Sequence, residues 1–297
     1  MLEISRLYNQ AIETSRRLNL KRAERGPMGE AIKLSRNDFE RSMALQCAKV
    51  LKEAIRQLEK ELEAIEGQLF PLAESLPNDT HPSTPIGPES AAVVVSMHGP
   101  PPIPASPLRD HVHVGKTLNL IDMEAAAAVT GSSWYYLRNE GALLELALTN
   151  YAMSIALKAG FTPVITPDVV KVDIARRCGF RPRDESGGPS QNYHLERRRH
   201  EEPELVLAGT AEIPLAGMLA QRTLEEKELP VMLAGLGRAF RSEAGARGAD
   251  TRGLYRVHQF SKVELFAVTK QEESDRMMEQ MTAIQREIFG GLNIPFR

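Results

Sequence analysis

Arg256, His258, Phe260, Lys262 and Glu264 stand at alternate positions late in the chain. Alternate side chains of a strand share a face. The order therefore predicts one face holding four ionisable groups and a ring, with Val257, Gln259, Ser261, Val263 and Leu265 on the other. Upstream, Arg241 and Glu243 share a parity, with Phe240 opposite. Read as two strands, about 231–243 and 255–268, the segments make a floor of two guanidinium groups, an aromatic plate and two carboxylates. Guanidinium binds phosphate oxygens bidentately, which suits a triphosphate. A ring can stack on a purine, and a carboxylate can hold an ammonium or a hydroxyl. A solvated sheet face with cross-strand ion pairs produces the same alternation.

The connection between the strands, Ala244 to Gly253, has three glycines together with Arg247 and Arg252. That composition suits a loop closing over a polyanion. In Ala208-Gly209-Thr210-Ala211-Glu212-Ile213-Pro214, Thr210 and Glu212 are two apart and can face one pocket. Thr210 equally suits the N-cap of a following helix, with Glu212 in its first turn. His111 and His113 would share a strand face, but no Cys or carboxylate stands at metal spacing, so no metal site is expected. Cys47 and Cys178 have no recognisable paired His and read as inert. A phosphate-binding Gly-rich motif ending in Lys-Ser/Thr and a dinucleotide fingerprint are both missing from the sequence.

These groups must be positioned by a chain of 297 residues with 39 acidic and 37 basic side chains. The near balance, with 42% hydrophobic residues, describes an ordinary globular chain and excludes collagen-like and wholly disordered classes. Two cysteines make no disulfide framework, which points to a reducing compartment. The sequence holds no apolar run long enough for a membrane span and no secretory signal at its start.

Three zones follow. Leu51, Ile55, Leu58, Leu62, Ile65, Leu69 and Leu72 step by threes and fours, a heptad seam within a helix from about 38 to 72. At 1.5 Å per residue that helix is roughly 50 Å long. Ile4, Leu7, Ala11, Thr14 and Leu18 beat the same way until Gly26-Pro27 and Gly29 break the pattern. Ser35 to Asp38 supply N-cap chemistry for the second helix. The expectation is an antiparallel hairpin over 1–76 with mismatched partners: either the chain lacks its beginning, or the longer helix packs on something else. Arg16, Arg17, Lys21, Arg22 and Arg25 cluster near its turn, as phosphate contacts or as a solvated helix face. The second zone, 77–108, is a linker with nine prolines between Pro77 and Pro107. The third, 109–297, mixes helices (about 140–158, 213–221 and 272–289) with strands (about 161–166 and 205–208, and the pair above). The hairpin-like pair favours an antiparallel sheet, hence an α+β core.

Phe240-Arg241-Ser242-Glu243-Ala244-Gly245, Asp250-Thr251-Arg252-Gly253-Leu254 and Arg256-Val257-His258-Gln259-Phe260-Ser261-Lys262-Val263-Glu264 together resemble motif 2 of seryl-tRNA synthetases. Thr210-Ala211-Glu212 is similar to that family's serine-binding signature, and Gly160 to Pro167 resembles class II motif 1. Leu76-Pro77-Asn78, with Pro85-Ile86-Gly87, resembles the junction of arm and core; Asp110-His111-Val112 and Gly131-Ser132-Ser133 fit too. The resemblance covers nearly the whole chain and implies a serine–tRNA ligase: an antiparallel-sheet class II core behind a coiled-coil arm, with ATP, L-serine, serine tRNA and Mg²⁺ as ligands.

Carried over, Arg241 binds the ATP α-phosphate as the catalytic residue, with Ser242 beside it. Glu243 holds the adenine amino group or orients the nucleotide, Val257 lines the adenine site through its backbone, Phe260 stacks on adenine, and Arg256 grips the γ end. Thr210, Ala211, Glu212 and Glu264 receive serine, and the hairpin's basic residues receive the tRNA. Motif 1 implies a homodimer, and the family's role implies the cytoplasm or, alternatively, the mitochondrial matrix. The family continues past Leu292 to Arg297 into two further strands and motif 3, which bring the metal-binding glutamate and another serine-binding residue. The charged stretch Glu196 to Glu202 is a local elaboration. The implied alternatives are a fragment, an incomplete gene product, or a non-catalytic paralogue that binds tRNA or a partner. By that comparison this polypeptide alone is not expected to form seryl-adenylate, which serine-dependent ATP–pyrophosphate exchange would show.

Overall fold

The structure, a computed structural model, describes residues 2–180, 192–197, 199, 202–243 and 252–297. Two compact units, 1–84 and 85–297, divide the chain.

The first unit is helical: α1 (Leu2–Ala23), α2 (Arg25–Lys33) and α3 (Asp38–Glu74). Leu7, Thr14 and Leu18 of α1 and Leu51, Ile55, Leu58 and Leu69 of α3 are buried, as the heptad spacing requires. The Asn37 side chain caps α3 by accepting the Glu40 N–H at 2.8 Å. Gly26-Pro27 and Gly29 do not end the helical run. The chain steps at Glu24 and starts α2 at Arg25. Pro27 falls in the first turn, where its missing N–H has no helical acceptor to lose. Met28 of α2 packs against the Leu18–Leu51–Ile55–Leu58 cluster. The long helix is therefore covered by two shorter ones in succession, which answers the mismatch.

The second unit opens with extended chain whose His98 bridges antiparallel to Phe296. It continues through α4 (His111–Thr117), β1 (Ile121–Asp122), α5 (Met123–Thr130), β2 (Tyr136–Leu137), α6 (Glu140–Lys158), β3 (Thr162–Ile165), β4 (Val169–Lys171) and α7 (Val172–Arg177). It closes with β5 (Leu205–Leu207), α8 (Glu212–Met218), β6 (Val231–Phe240), β7 (Gln259–Val268) and α9 (Ser274–Gly291). His111 and His113 lie in helix α4, not on a strand, because the Asp110 carboxylate accepts the N–H groups of Val112 and His113 and starts a helix there. The helix begun by Glu212 stops at Met218, short of Gln221.

The central sheet runs β3-β6-β7. β6 and β7 form an antiparallel ladder from Val231↔Val268 to Phe240↔Gln259. β3 joins parallel to β6 at the edge, so the hairpin is antiparallel as expected and the sheet as a whole is mixed. On one face Ala234 packs with Ile155 and Ala156 of α6, Phe161 just before β3, and Ile284 of α9. On the other, Leu233 packs with Ala211 and Leu215 of the α8 region. The structure is thus an α+β unit with helices on both faces of a small sheet.

Ile55 is 1% exposed at the centre of the arm cluster. Ile55→Ala is expected to destabilise the first unit by about 2–4 kcal/mol, read as a lower urea midpoint in far-ultraviolet circular dichroism.

Candidate functional site

The register of β6 and β7 decides what the charged face looks across at. Phe260, Lys262 and Glu264 pair directly with Ala239, Gly237 and Gly235. Paired residues in an antiparallel ladder share a face, so each functional side chain stands opposite almost nothing. The space is filled from α8 and the chain before it. A Cβ on Gly237 would lie 2.4 Å from Thr166 Oγ1 and 3.2 Å from the Ala211 Cβ. One on Gly235 would lie 2.7 Å from Leu215 Cδ1. Bare backbone at these two positions lets the Thr210 segment descend onto the sheet.

Thr210 is buried and donates its hydroxyl to Glu264 Oε2 at 2.9 Å. Lys262 Nζ donates to Thr210 Oγ1 at 2.7 Å and pairs with Glu264 Oε2 at 2.5 Å. The Glu212 N–H reaches Thr210 Oγ1 at 3.4 Å, a weak version of the cap. The hydroxyl caps the helix loosely and also binds Glu264, while the exposed Glu212 side chain does not join it. Ala211 is buried against the sheet. Glu212 is exposed in the first turn of α8, and its carboxylate makes no hydrogen bond or ion pair among the described residues. Its charge reaches Cys178, whose thiol pKa is pushed up first by burial and then by that carboxylate, the direction opposite to an activated thiolate.

One strand end away, the Arg241 guanidinium lies over the Phe260 ring at 5.3 Å, within cation–π range. Its Nε makes a long 3.5 Å hydrogen bond to the Gly209 carbonyl. Arg241 has no ion pair among the described residues, so its charge is available. Arg256 is committed: its Nη1 lies 3.1 Å from Glu243 Oε2. Glu243 itself has φ 49°, a left-handed conformation costly for a side chain with a Cβ. Val257 is buried and Ser242 is partly exposed. Arg256 and His258 lie just before β7 begins at Gln259, so the predicted face is extended only from there on.

The residues that hold this geometry were less visible in the sequence. In the sequence His111 offered no metal site and His258 only a place on the strand face, yet both hold chain at the site. His111 Nε2 accepts the Leu254 N–H at 2.9 Å, and its ring lies 4.5 Å from that of Tyr255. Asp110 lies 3.6 Å from Arg252. His258 meets Arg241 twice, through its carbonyl and its ring, and also touches Trp134 and Tyr193. The Tyr193 hydroxyl is held above its ordinary range by burial and, secondarily, by the Glu243 charge. Lys262 was on the predicted face but without a role; its partner Thr210 is 52 residues away and only the fold reveals it.

On the helical unit, Arg17 faces Glu61 at 3.6 Å, Lys21 faces Glu24 at 2.8 Å and Arg22 faces Glu59 at 2.9 Å. Arg16 and Arg25 are exposed without an ion pair among the described residues. Residues 244–251 of the Gly-rich connection, Arg247 included, lie outside the described residues. So do Arg198, His200 and Glu201 of the charged stretch, in which Arg197 pairs with Glu204. Among the described residues, no helix is long and apolar enough to cross a membrane.

Comparison with known proteins converges on one group. Residues 193–297 match the class II tRNA synthetase core domain (G, H, P, S and T). The chain is 39% identical over 292 residues to a serine–tRNA ligase of Treponema denticola, covering 98% of this chain and 67% of that one. It is 41% identical over 263 residues to the mitochondrial serine–tRNA ligase of Schizosaccharomyces pombe, covering 87% and 54%. In structure it is similar to seryl-tRNA synthetase from Pyrococcus horikoshii complexed with ATP, with a TM-score of 0.74 at 32% identity, covering 99% of this chain and 69% of that chain. The chain spans about two thirds of the length of the T. denticola relative.

Two measurements check this geometry. Gly237→Val should push the Thr210 segment off the sheet and lower the thermal midpoint of the second unit, whereas Gly290→Ala, which meets nothing within 4 Å, should not. In a spectrophotometric titration Tyr193 should ionise above the ordinary tyrosine range, and Glu243→Gln should lower its pKa part of the way back.

Proposed function

Since this chain belongs to the serine–tRNA ligase family of class II aminoacyl-tRNA synthetases, we propose that the β6–β7 floor binds ATP beside L-serine and supports seryl transfer to serine tRNA. One observation carries the reading. A guanidinium without an ion-pair partner among the described residues, stacked on an aromatic ring, shares a strand face with a threonine–glutamate–lysine cluster fit for a small hydroxy amino acid.

In this reading adenine stacks on Phe260 and the α-phosphate meets Arg241. The serine carboxylate attacks the α-phosphorus in line, giving seryl-adenylate and releasing pyrophosphate. The terminal tRNA hydroxyl then takes the seryl group and releases AMP. Arg241 acts by standing where negative charge grows at the α-phosphorus, an effect of prior positioning. Arg256 must exchange Glu243 for phosphate oxygens as the γ end arrives, which frees Glu243 to face the adenine. Thr210 and Glu264 recognise serine's polar groups, and such a pocket rejects alanine because its buried partners would be left unpaired. Glu212, exposed on α8, is the weakest of the proposed serine contacts.

Mg²⁺ accompanies ATP in this chemistry, but the described floor does not fit a resident ion. Its two carboxylates are each tied to a cation, and no cluster of three metal-ligating side chains occurs among the described residues.

The helical unit is the proposed tRNA contact. Arg16 and Arg25 are available, and the exposed pairs of Arg17, Lys21 and Arg22, worth about 0–1 kcal/mol each, can exchange carboxylate for phosphate. A homodimer through the β3 and α6 region is part of the proposal, since Leu143, Leu144 and Leu146 of α6 and Ile165 at the end of β3 are exposed apolar residues. The reading places the chain in the cytoplasm, in keeping with two unbonded cysteines.

Arg241→Ala should weaken ATP binding about tenfold to a hundredfold, the worth of a charge-assisted hydrogen bond, measured by equilibrium dialysis with the intact chain. Unchanged affinity would remove Arg241 from the nucleotide site and the reading with it.

A further inference from the structure

Arg241 sits one residue past the end of β6, where only half of a ladder rung remains. Its backbone is nevertheless held from both sides by one residue. The Arg241 N–H donates to the His258 carbonyl at 2.9 Å. In return His258 Nδ1 lies 2.9 Å from the Arg241 carbonyl oxygen. A carbonyl only accepts, so Nδ1 carries the proton. The Tyr193 hydroxyl, 2.8 Å from the same nitrogen, lends a second acceptor oxygen. His258 is itself anchored: its N–H donates to the Ser133 carbonyl at 3.1 Å, and the Trp134 ring lies 5.5 Å away at 31°. His258 thus joins chain near 133, near 193 and near 241.

We propose that His258 is the positioning residue of the site: its Nδ1–H, donated to the Arg241 carbonyl, fixes where the Arg241 guanidinium meets the nucleotide. The inference rests on the reading of this floor as an ATP site. His258 does not touch the nucleotide. It acts through the backbone of Arg241, and it donates through Nδ1 whether the ring is neutral or protonated. The His258 N–H, which would complete the rung after Phe240↔Gln259, goes to Ser133 instead, and the side-chain donor takes its place at the Arg241 carbonyl.

The test compares two amides in the intact chain. An asparagine at 258 can present its NH₂ where Nδ1 stands, and a glutamine presents it farther out, where Nε2 stands. His258→Gln should weaken ATP binding about tenfold, as loss of one positioning hydrogen bond does, and His258→Asn should stay within about threefold of the unaltered chain. The double variant Arg241→Ala/His258→Gln should bind no more weakly than Arg241→Ala alone, because residues acting through one contact are not additive. Near-ultraviolet circular dichroism of the lone tryptophan, Trp134, confirms that each variant is folded. Equal losses for Asn and Gln, no loss for Gln, or a further loss in the double variant each overturn the proposal. Failure of the unaltered chain to bind ATP overturns the nucleotide reading and this inference with it. Normal binding there together with an indifferent His258 overturns the inference alone.

Discussion

A hydroxyl can reach a carboxylate in the middle of a sheet only where the chain that carries it lies against bare backbone. Gly235 and Gly237 provide that ground opposite Glu264 and Lys262, and every polar contact of the pocket follows from the close approach. Thr210 descends far enough to meet Glu264, Ala211 seals against the strand, and Leu215 occupies the place of the absent Cβ. Replacing either glycine with a larger residue asks backbone and buried side chains to give way at once, and close-packed interiors resist that. The site is thus built from missing side chains as much as from present ones.

Charge on the floor is arranged in pairs with one exception. Arg256 is neutralised by Glu243 and Lys262 by Glu264, which keeps the cost of partial burial low without a ligand. Arg241 is offset only by a carbonyl and the face of a ring among the described residues. A polyanion arriving here meets one guanidinium ready and another that must first release its carboxylate. That asymmetry puts the strongest attraction at one point and lets the rest of the floor adjust around it, which favours a defined orientation over general stickiness.

Much of this was legible in the residues. The heptad steps located the buried stripe of α3, and strand parity put Phe260, Lys262 and Glu264 on one face together with Arg241. Helix α2 escaped because Gly26-Pro27 and Gly29 are usually breakers, and a proline in a first turn gives no sequence sign that it is harmless. The Thr210–Lys262 bond escaped because parity says which face a side chain takes, but nothing about which distant segment covers it. Two alternate glycines in β6, read against the charged alternation in β7, were the available signal. His258 was grouped with the floor by parity, while its actual task, holding a backbone, follows only from the register that ends at Phe240↔Gln259. The edge strand β3 was recognised as a strand, but four residues carry no mark of running parallel.

Glu243 occupies a left-handed turn where glycine would rest more easily. A side chain that stays in such a conformation costs about 1–2 kcal/mol, and the ion pair with Arg256 offsets only part of that. Selection for stability alone would therefore drift this position toward glycine or asparagine, trading a carboxylate for backbone comfort. Under the proposed reading the carboxylate has a use at the nucleotide, and an effort to make this fold hardier would be drawn first to this residue.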